Sequence, residues 1–260
     1  MHHMFTKLAT VSFLALISLS PPQNPQDEVA ALRREVQALR EQQAQMQREL
    51  QAIKNFLQSL IQPRQQAGNE MPGIIDATIP TAGEPAMGSA TAQVTVMEVS
   101  DYHCPFCRRQ TQQMFPQLQS EYINTGKVRY LFVDYPIAQL HPQAHRAHEA
   151  AACAGDQGKF WEMHASLFTQ PPSKSDSDLN AQAKNLGLDI AAFGTCLSSG
   201  RHAGAVKESA ARMEQLGIAG TPMTLIGLTP APGQPMKVVK YVYGAKPYSE
   251  FKAAIDSLLK

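Results

Sequence analysis

The sequence is poor in cysteine, tryptophan, net charge and long apolar runs, and each shortage excludes something. Four cysteines in 260 residues are too few to build a disulfide-stapled miniprotein. A formal net charge of +1 gives no electrostatic case for nucleic acid as the main partner. No apolar run reaches the ~18 residues of a membrane-spanning helix. What is present, 43% hydrophobic and 17% charged residues, is ordinary for a globular chain of one or two domains. The shortages are unevenly spread: residues 1–90 contain no cysteine, tryptophan or tyrosine.

Near the N-terminus, Lys7 precedes a short apolar stretch, Leu8 to Leu19, which ends at Ser20-Pro21-Pro22. Its length fits the apolar core of a secretion signal better than a membrane span. Residues 1–22 are therefore read as an export signal, cleaved or kept as an anchor through residues 8–19. No A-x-A pattern marks a cleavage site, and no cysteine offers a lipid attachment point. The expected location is periplasmic or otherwise extracytoplasmic.

Residues 26–62 follow another rule. Val29, Leu32, Val36, Leu39, Gln43, Met46, Leu50, Ile53, Leu57 and Leu60 alternate spacings of three and four. That is a heptad repeat with a seam narrower than the apolar face of a helix packed on a domain. In a parallel coil, g on one chain faces the next e on its partner. The resulting pairs, Glu28 with Arg33, Glu35 with Arg40 and Glu49 with Lys54, are all opposite in sign. Gln43 at a core position costs stability and helps fix register. The expectation is a parallel homo-oligomer through residues 26–62; the alternative is a helix folded back on its own domain. The core residues leave the strand number open.

Pro63 is expected to close that helix, and residues 63–90, rich in Pro, Gly, Ala and Thr, read as a linker. From there to the end, residues 91–260, the pattern is α/β. Gln93–Ser100 is a near-continuous β-prone run, as in a strand buried on both faces. A helix over 105–123 and a strand over 127–133 follow. Five helical patterns occupy 143–154, 159–168, 177–186, 190–197 and 202–216. Strands over 223–226 and 237–243 and a helix over 248–259 complete the order.

The chemistry centres on Cys104-Pro105-Phe106-Cys107, where a strand gives way to a helix. A C-x-x-C in that place is a redox signature. Cys104 falls at the helix N-terminus, whose free N–H groups and dipole stabilise an anion and so lower a thiol pKa. Pro105 suits the first turn, where no N–H is needed, and Cys107 lies one turn on. A C-x-x-C can also supply half a zinc site, but Cys153 and Cys196 are isolated and provide no second half. Glu98 sits in an otherwise uncharged strand. Desolvation there would raise its pKa and suit it to accept the Cys107 proton, directly or through water; the alternative is a strand-end carboxylate that touches solvent. Thr221-Pro222 follows Gly220 at a strand start. A cis proline there would make a tight turn and expose the Thr221 backbone to an extended peptide, although an ordinary trans turn fits the same residues.

Together these residues resemble a known family. The segment Val96-Met97-Glu98-Val99-Ser100-Asp101-Tyr102-His103-Cys104-Pro105-Phe106-Cys107 is similar to the active-site stretch of DsbA-family thiol–disulfide oxidoreductases. Leu140-His141-Pro142-Gln143-Ala144, Gln157-Gly158-Lys159-Phe160-Trp161 and Gly220-Thr221-Pro222 look like further blocks of it. The resemblance implies a thioredoxin fold with a helical insertion, about residues 137–217. It also implies Cys104 as nucleophile, Cys107 as resolving thiol, Glu98 as buried acid and Pro222 as cis-proline. Protein clients that are unfolded or misoxidised and a membrane redox partner are expected, with no cofactor or metal. Phe106 departs from the histidine common in strongly oxidising members, so thiolate stabilisation and oxidising power should be weaker. An N-terminal oligomerising segment is instead similar to DsbC, DsbG and ScsC-type proteins. The expected activity therefore leans to isomerase or reductase; the alternatives are a primary oxidase or a non-enzymatic exported chaperone or scaffold. Pro105, Phe106 and Thr221 are the expected client contacts.

Cys153 and Cys196 lie in two helices of the insertion. Oxidising conditions make free thiols a liability, so a structural bridge is expected; two inert buried thiols are the alternative. His141, His145 and His148 share a helical spacing that can bind metal but more often forms a solvated face, the reading adopted here.

Overall fold

The protein is described by a computed structural model covering residues 25–67, 71, 73–173 and 175–259. The export signal expected over residues 1–22 lies outside the described residues. The chain divides into two units between residues 68 and 69.

The described residues of the first unit form one helix, α1 (Pro25–Ala67). Val29, Leu32, Val36, Leu39, Met46 and Leu50 are between 45% and 61% exposed along it. Gln37 donates to Glu41 and Gln45 to Glu49, one turn apart. The helix does not end at Pro63 as expected but runs on to Ala67. A proline removes one helical donor, and the good helix formers that follow, Arg64, Gln65, Gln66 and Ala67, carry the chain past it.

The second unit contains β1 (Thr78–Ile79), β2 (Ala86–Met87), β3 (Val94–Ser100), α2 (Pro105–Gln113), α3 (Phe115–Leu118), a π turn at Gln119–Ile123 and β4 (Val128–Asp134). Five insertion helices follow: α4 (Ala144–Gly155), α5 (Phe160–Thr169), α6 (Asp176–Asn185), α7 (Ile190–Ser199) and α8 (Ala203–Gln215). The chain closes with β5 (Met223–Leu228), β6 (Met236–Lys237), β7 (Lys240–Tyr243) and α9 (Tyr248–Asp256). The main sheet has the order β2-β4-β3-β5-β7, with β3 and β4 parallel and the other pairs antiparallel. All seven residues of β3 are buried, as the β-branched run Val-Thr-Val predicts for a central strand.

Strand alternation sorts the core. Val94, Val96 and Tyr130 pack with Met114, Leu118, Phe251 and Ile255 on one face of the sheet. Met97, Val99, Leu131 and Leu225 pack with Met213 and the 74–79 and 236–238 segments on the other. A third cluster joins Tyr102, Cys104, Cys107 and Phe132 to the insertion helices through Met163, Phe168 and Phe193.

Three sequence expectations need correction. Residues 63–90 are not all linker: Ile74 and Ile79 are core, β1 pairs with β6, and β2 pairs with β4 at the sheet edge. Strands of two residues have no periodicity to betray them. The helix over 105–123 is broken at Met114, where Pro116 cannot continue the donor ladder. The strand over 237–243 is split because the chain changes partners within it: Val238 N–H donates to Ala77 and Val239 N–H to Ile226.

Candidate active site

Strand β3 delivers the chain to a turn that is pinned before the cysteines begin. Asp101 is fully buried. Its carboxylate accepts from the His103 N–H at 2.7 Å and the Ile137 N–H at 2.8 Å, and it meets His141 Nδ1 at 2.9 Å. Cys104 N–H donates to the Asp101 carbonyl at 3.1 Å. Cys104 is thereby fixed in an extended conformation as the N-cap of α2, with Pro105 in the first turn.

The two thiols are driven apart in acidity. Cys104 is held down to about 6 from 9.0, chiefly by a hydrogen bond from Cys107, against the upward push of burial. Thr221 and the backbone N–H groups of Cys107 and Phe106 add to the lowering, as the open end of a helix does for an anion. The Cys107 thiol is fully buried and is pushed well up, first by burial and then by Cys104. One sulfur thus ionises below neutrality while its neighbour keeps its proton, which suits nucleophilic attack followed by delayed resolution. Both cysteines are free thiols in this structure.

Glu98 lies beneath them, 1% exposed. In the sheet it sits between Phe132 and Thr224. Tyr130 Oη donates to its Oε2 at 2.6 Å, while Oε1 has no partner. Burial raises its pKa; the bond from Tyr130 and the nearby polar side chains of Gln110 and Ser100 oppose the rise. It does not touch solvent at the strand end.

Across the site, the Thr221–Pro222 peptide is cis, and Pro222 is buried. The Thr221 carbonyl lies 3.5 Å from Cys104 Sγ. At Gly220, just before it, the place of a Cβ lies 2.7 Å from Tyr243 Oη, so a side chain there would displace that ring's hydroxyl. Phe106 is 54% exposed, with the Arg109 guanidinium 5.1 Å above its ring. These elements converge on Cys104. Cys153 and Cys196 are bonded to each other, joining α4 to α7, and stand outside the site.

The histidines do not form the solvated face expected of them. His148 is fully buried, 2.5 Å from Asp134 and accepting from the Tyr102 N–H. His141 pairs with Asp101 and His145 with Glu149, so the three rings are held by three different carboxylates. Buried His164, whose pKa burial pushes down to about 3, lies 3.1 Å from Tyr102 Oη. Sequence reading passed over Asp101, Tyr130, Gln110 and Ser100. Only Ser100 carried a usable signal: it shares strand parity, and hence a sheet face, with Glu98.

Comparison with known proteins agrees with this fold. The Thioredoxin family model matches residues 80–256. Na(+)/H(+) antiporter NhaA 3 of Salinispora tropica is 34% identical over 152 residues, 58% of this chain and 23% of the antiporter. Disulfide bond formation protein D of Bacillus subtilis is 33% identical over 93 residues, 35% of this chain and 40% of that protein. The chain thus spans well under half the length of the antiporter it matches. The crystal structure of alpha-DsbA1 from Wolbachia pipientis superposes with a TM-score of 0.60 at 21% identity, covering 69% of this chain and 92% of that one. That likeness gives a thioredoxin-like fold with a helical insertion.

Proposed function

Because the chain belongs to the thioredoxin family, we propose that it is a DsbA-type thiol–disulfide oxidoreductase acting on proteins outside the cytoplasm. The observation that carries this reading is the placement of Cys104 at the N-terminus of α2, 3.5 Å from the Thr221 carbonyl of the cis-proline turn, with Cys107 buried one turn on. The Cys104 thiolate attacks a client disulfide, forms a mixed disulfide and releases one client thiol. Cys107 then attacks Cys104 Sγ, closing the Cys104–Cys107 disulfide and releasing the second client thiol. Two electrons pass from the pair to the client; the reverse direction oxidises the client. Glu98 accepts the Cys107 proton, and the reaction needs no cofactor or metal. Phe106, Pro105 and the backbone beside Thr221 and Pro222 receive an extended client segment.

Two features favour isomerase or reductase work. Phe106 adds no positive charge beside the thiolate. The exposed seam of α1, with its complementary flanking charges, supports a parallel homo-oligomer that gathers several Cys104 thiolates around one unfolded or misoxidised client. An oxidase reading has its own support: a stabilised thiolate favours the reduced form and so makes the disulfide more oxidising. In either case a membrane redox partner resets the pair. The test is insulin reduction together with refolding of scrambled ribonuclease. Cys104→Ser is expected to abolish both; retention of both would sink the enzymatic reading and leave a chaperone. The redox state of Cys104 in cells separates the rest, with mostly reduced meaning isomerase or reductase and mostly oxidised meaning oxidase.

A further inference from the structure

The proton that leaves Cys107 during resolution needs a route to Glu98, and the buried polar atoms beside the two groups suggest one. Glu98 and Ser100 alternate onto the same face of β3. From α2, the two buried residues are Cys107 and Gln110, one turn apart, and Gln110 reaches Thr224, the sheet partner of Glu98. Three side-chain oxygens here are buried without a hydrogen-bond partner: Glu98 Oε1, Ser100 Oγ and Gln110 Oε1. Orphaned buried polar atoms are rare, and a functional role is one explanation for them.

The remaining contacts narrow the path. Tyr130 Oη already donates to Glu98 Oε2. Burial and the facing carboxylate push its own pKa well up, so it keeps its proton. The oxygen left to receive a proton is therefore Oε1. Gln110 Nε2 donates to Thr224 Oγ1 at 3.3 Å, and an amide is too weak an acid and too weak a base to pass a proton on rapidly at neutral pH. Ser100 differs from both. Its hydroxyl has no hydrogen bond of ordinary geometry, yet it stabilises the charged form of Glu98 and of Cys107 alike. A serine hydroxyl can accept one proton while it donates another.

We propose that Ser100 relays the proton of Cys107 to Glu98 Oε1 as the mixed disulfide resolves, with Gln110 and Tyr130 positioning the carboxylate. The proposal rests on the exchange reading above. In balance, Cys107 S–H gives its proton to Ser100 Oγ as the Ser100 proton passes to Glu98. The Cys107 sulfur then bonds Cys104 Sγ, and the client sulfur leaves with the electron pair.

The test is a single turnover of the reduced, full-length protein with a peptide disulfide, quenched by acid across pH 6–9 to follow the mixed disulfide. In Ser100→Ala the mixed disulfide is expected to live about tenfold longer or more, within the range of general acid–base effects. Its decay should rise steeply with pH as hydroxide replaces the relay. Formation of the mixed disulfide precedes the relay, so the effect should fall on decay far more than on formation, and the formation step reports whether the site is intact. Ser100→Thr, which keeps the hydroxyl and suits a strand, should restore decay to within about twofold of the original serine. Equal lifetimes for serine and alanine, or a threonine variant as slow as alanine, would overturn the relay while leaving exchange intact. Absence of any mixed disulfide in the unaltered protein would remove the exchange reading and the relay with it.

Discussion

At the scale of single residues, the account turns on where protons sit. With Cys104 lowered to about 6 from its ordinary 9.0, the reduced protein at pH 7 carries Cys104 mainly as the thiolate. Thiolate absorbance near 240 nm should therefore titrate with a midpoint close to pH 6. A midpoint near 9 would remove the basis for the nucleophile. The sign for stability follows from the lowered value. The thiolate's stabilisation of the reduced fold is complete above pH 9 and is lost as pH falls through 6. Glu98 runs the other way, because its folded pKa is raised. Its protonated form is matched to the fold at acidic pH, and the cost of ionising it appears as pH rises through the folded value. Glu98→Gln should leave stability at pH 4 nearly unchanged and raise the urea midpoint at pH 8, while it slows resolution of the mixed disulfide. A lowered midpoint at pH 8 would contradict that assignment. Cys104, Cys107 and Glu98 could be picked from sequence because each stands out by type or spacing. Tyr130 and Gln110 could not, since their partners lie 32 and 114 positions away, and Asp101 joins its own turn to Ile137, 36 positions on.

At the scale of elements, local pattern was a good guide for the central strand and for the helices of the insertion. The strand at Val94–Ser100 and all five insertion helices stand within one or two residues of their expected bounds, because hydrophobic period and end signals agreed there. Pattern failed for β1 and β2, two residues each, which exist only because β6 and β4 offer them partners. The same limit hid the break between β6 and β7. Cys153 and Cys196 bind α4 to α7 across 43 residues, where Arg146 adds a bond to the Leu197 carbonyl and an ion pair to Asp176. Closing a loop of that size is worth up to about 4 kcal/mol by the chain-entropy estimate, with measured values commonly 2–4. The double change Cys153→Ala, Cys196→Ala should lower unfolding free energy by about that amount and leave the pH midpoint of Cys104 in place. A shifted Cys104 midpoint would tie the bridge to the site.

For the whole molecule, the two units divide the work as they divide the composition. The cysteine-free first ninety residues include a long helix with an exposed seam and two short strands that belong to the catalytic unit. Heptad spacing made the helix legible early; the second copy that the proposed parallel coil requires is nothing a single-chain pattern can display. Leu32→Asp with Leu39→Asp should reduce the light-scattering mass of the full chain to that of one chain, near 28.5 kDa. Insulin reduction should persist in that variant, while scrambled-ribonuclease refolding falls. An unchanged mass would reject the parallel coil.

The central claim is that Cys104 takes the client sulfur and Cys107 removes it. The most direct measurement is mass-spectrometric mapping of the reduced Cys107→Ser protein after exposure to a disulfide-bonded peptide. The account predicts a stable peptide adduct on Cys104, absent from Cys104→Ser, with Cys153 and Cys196 still joined to each other. No adduct on Cys104, or one carried by Cys153 or Cys196 instead, would contradict it.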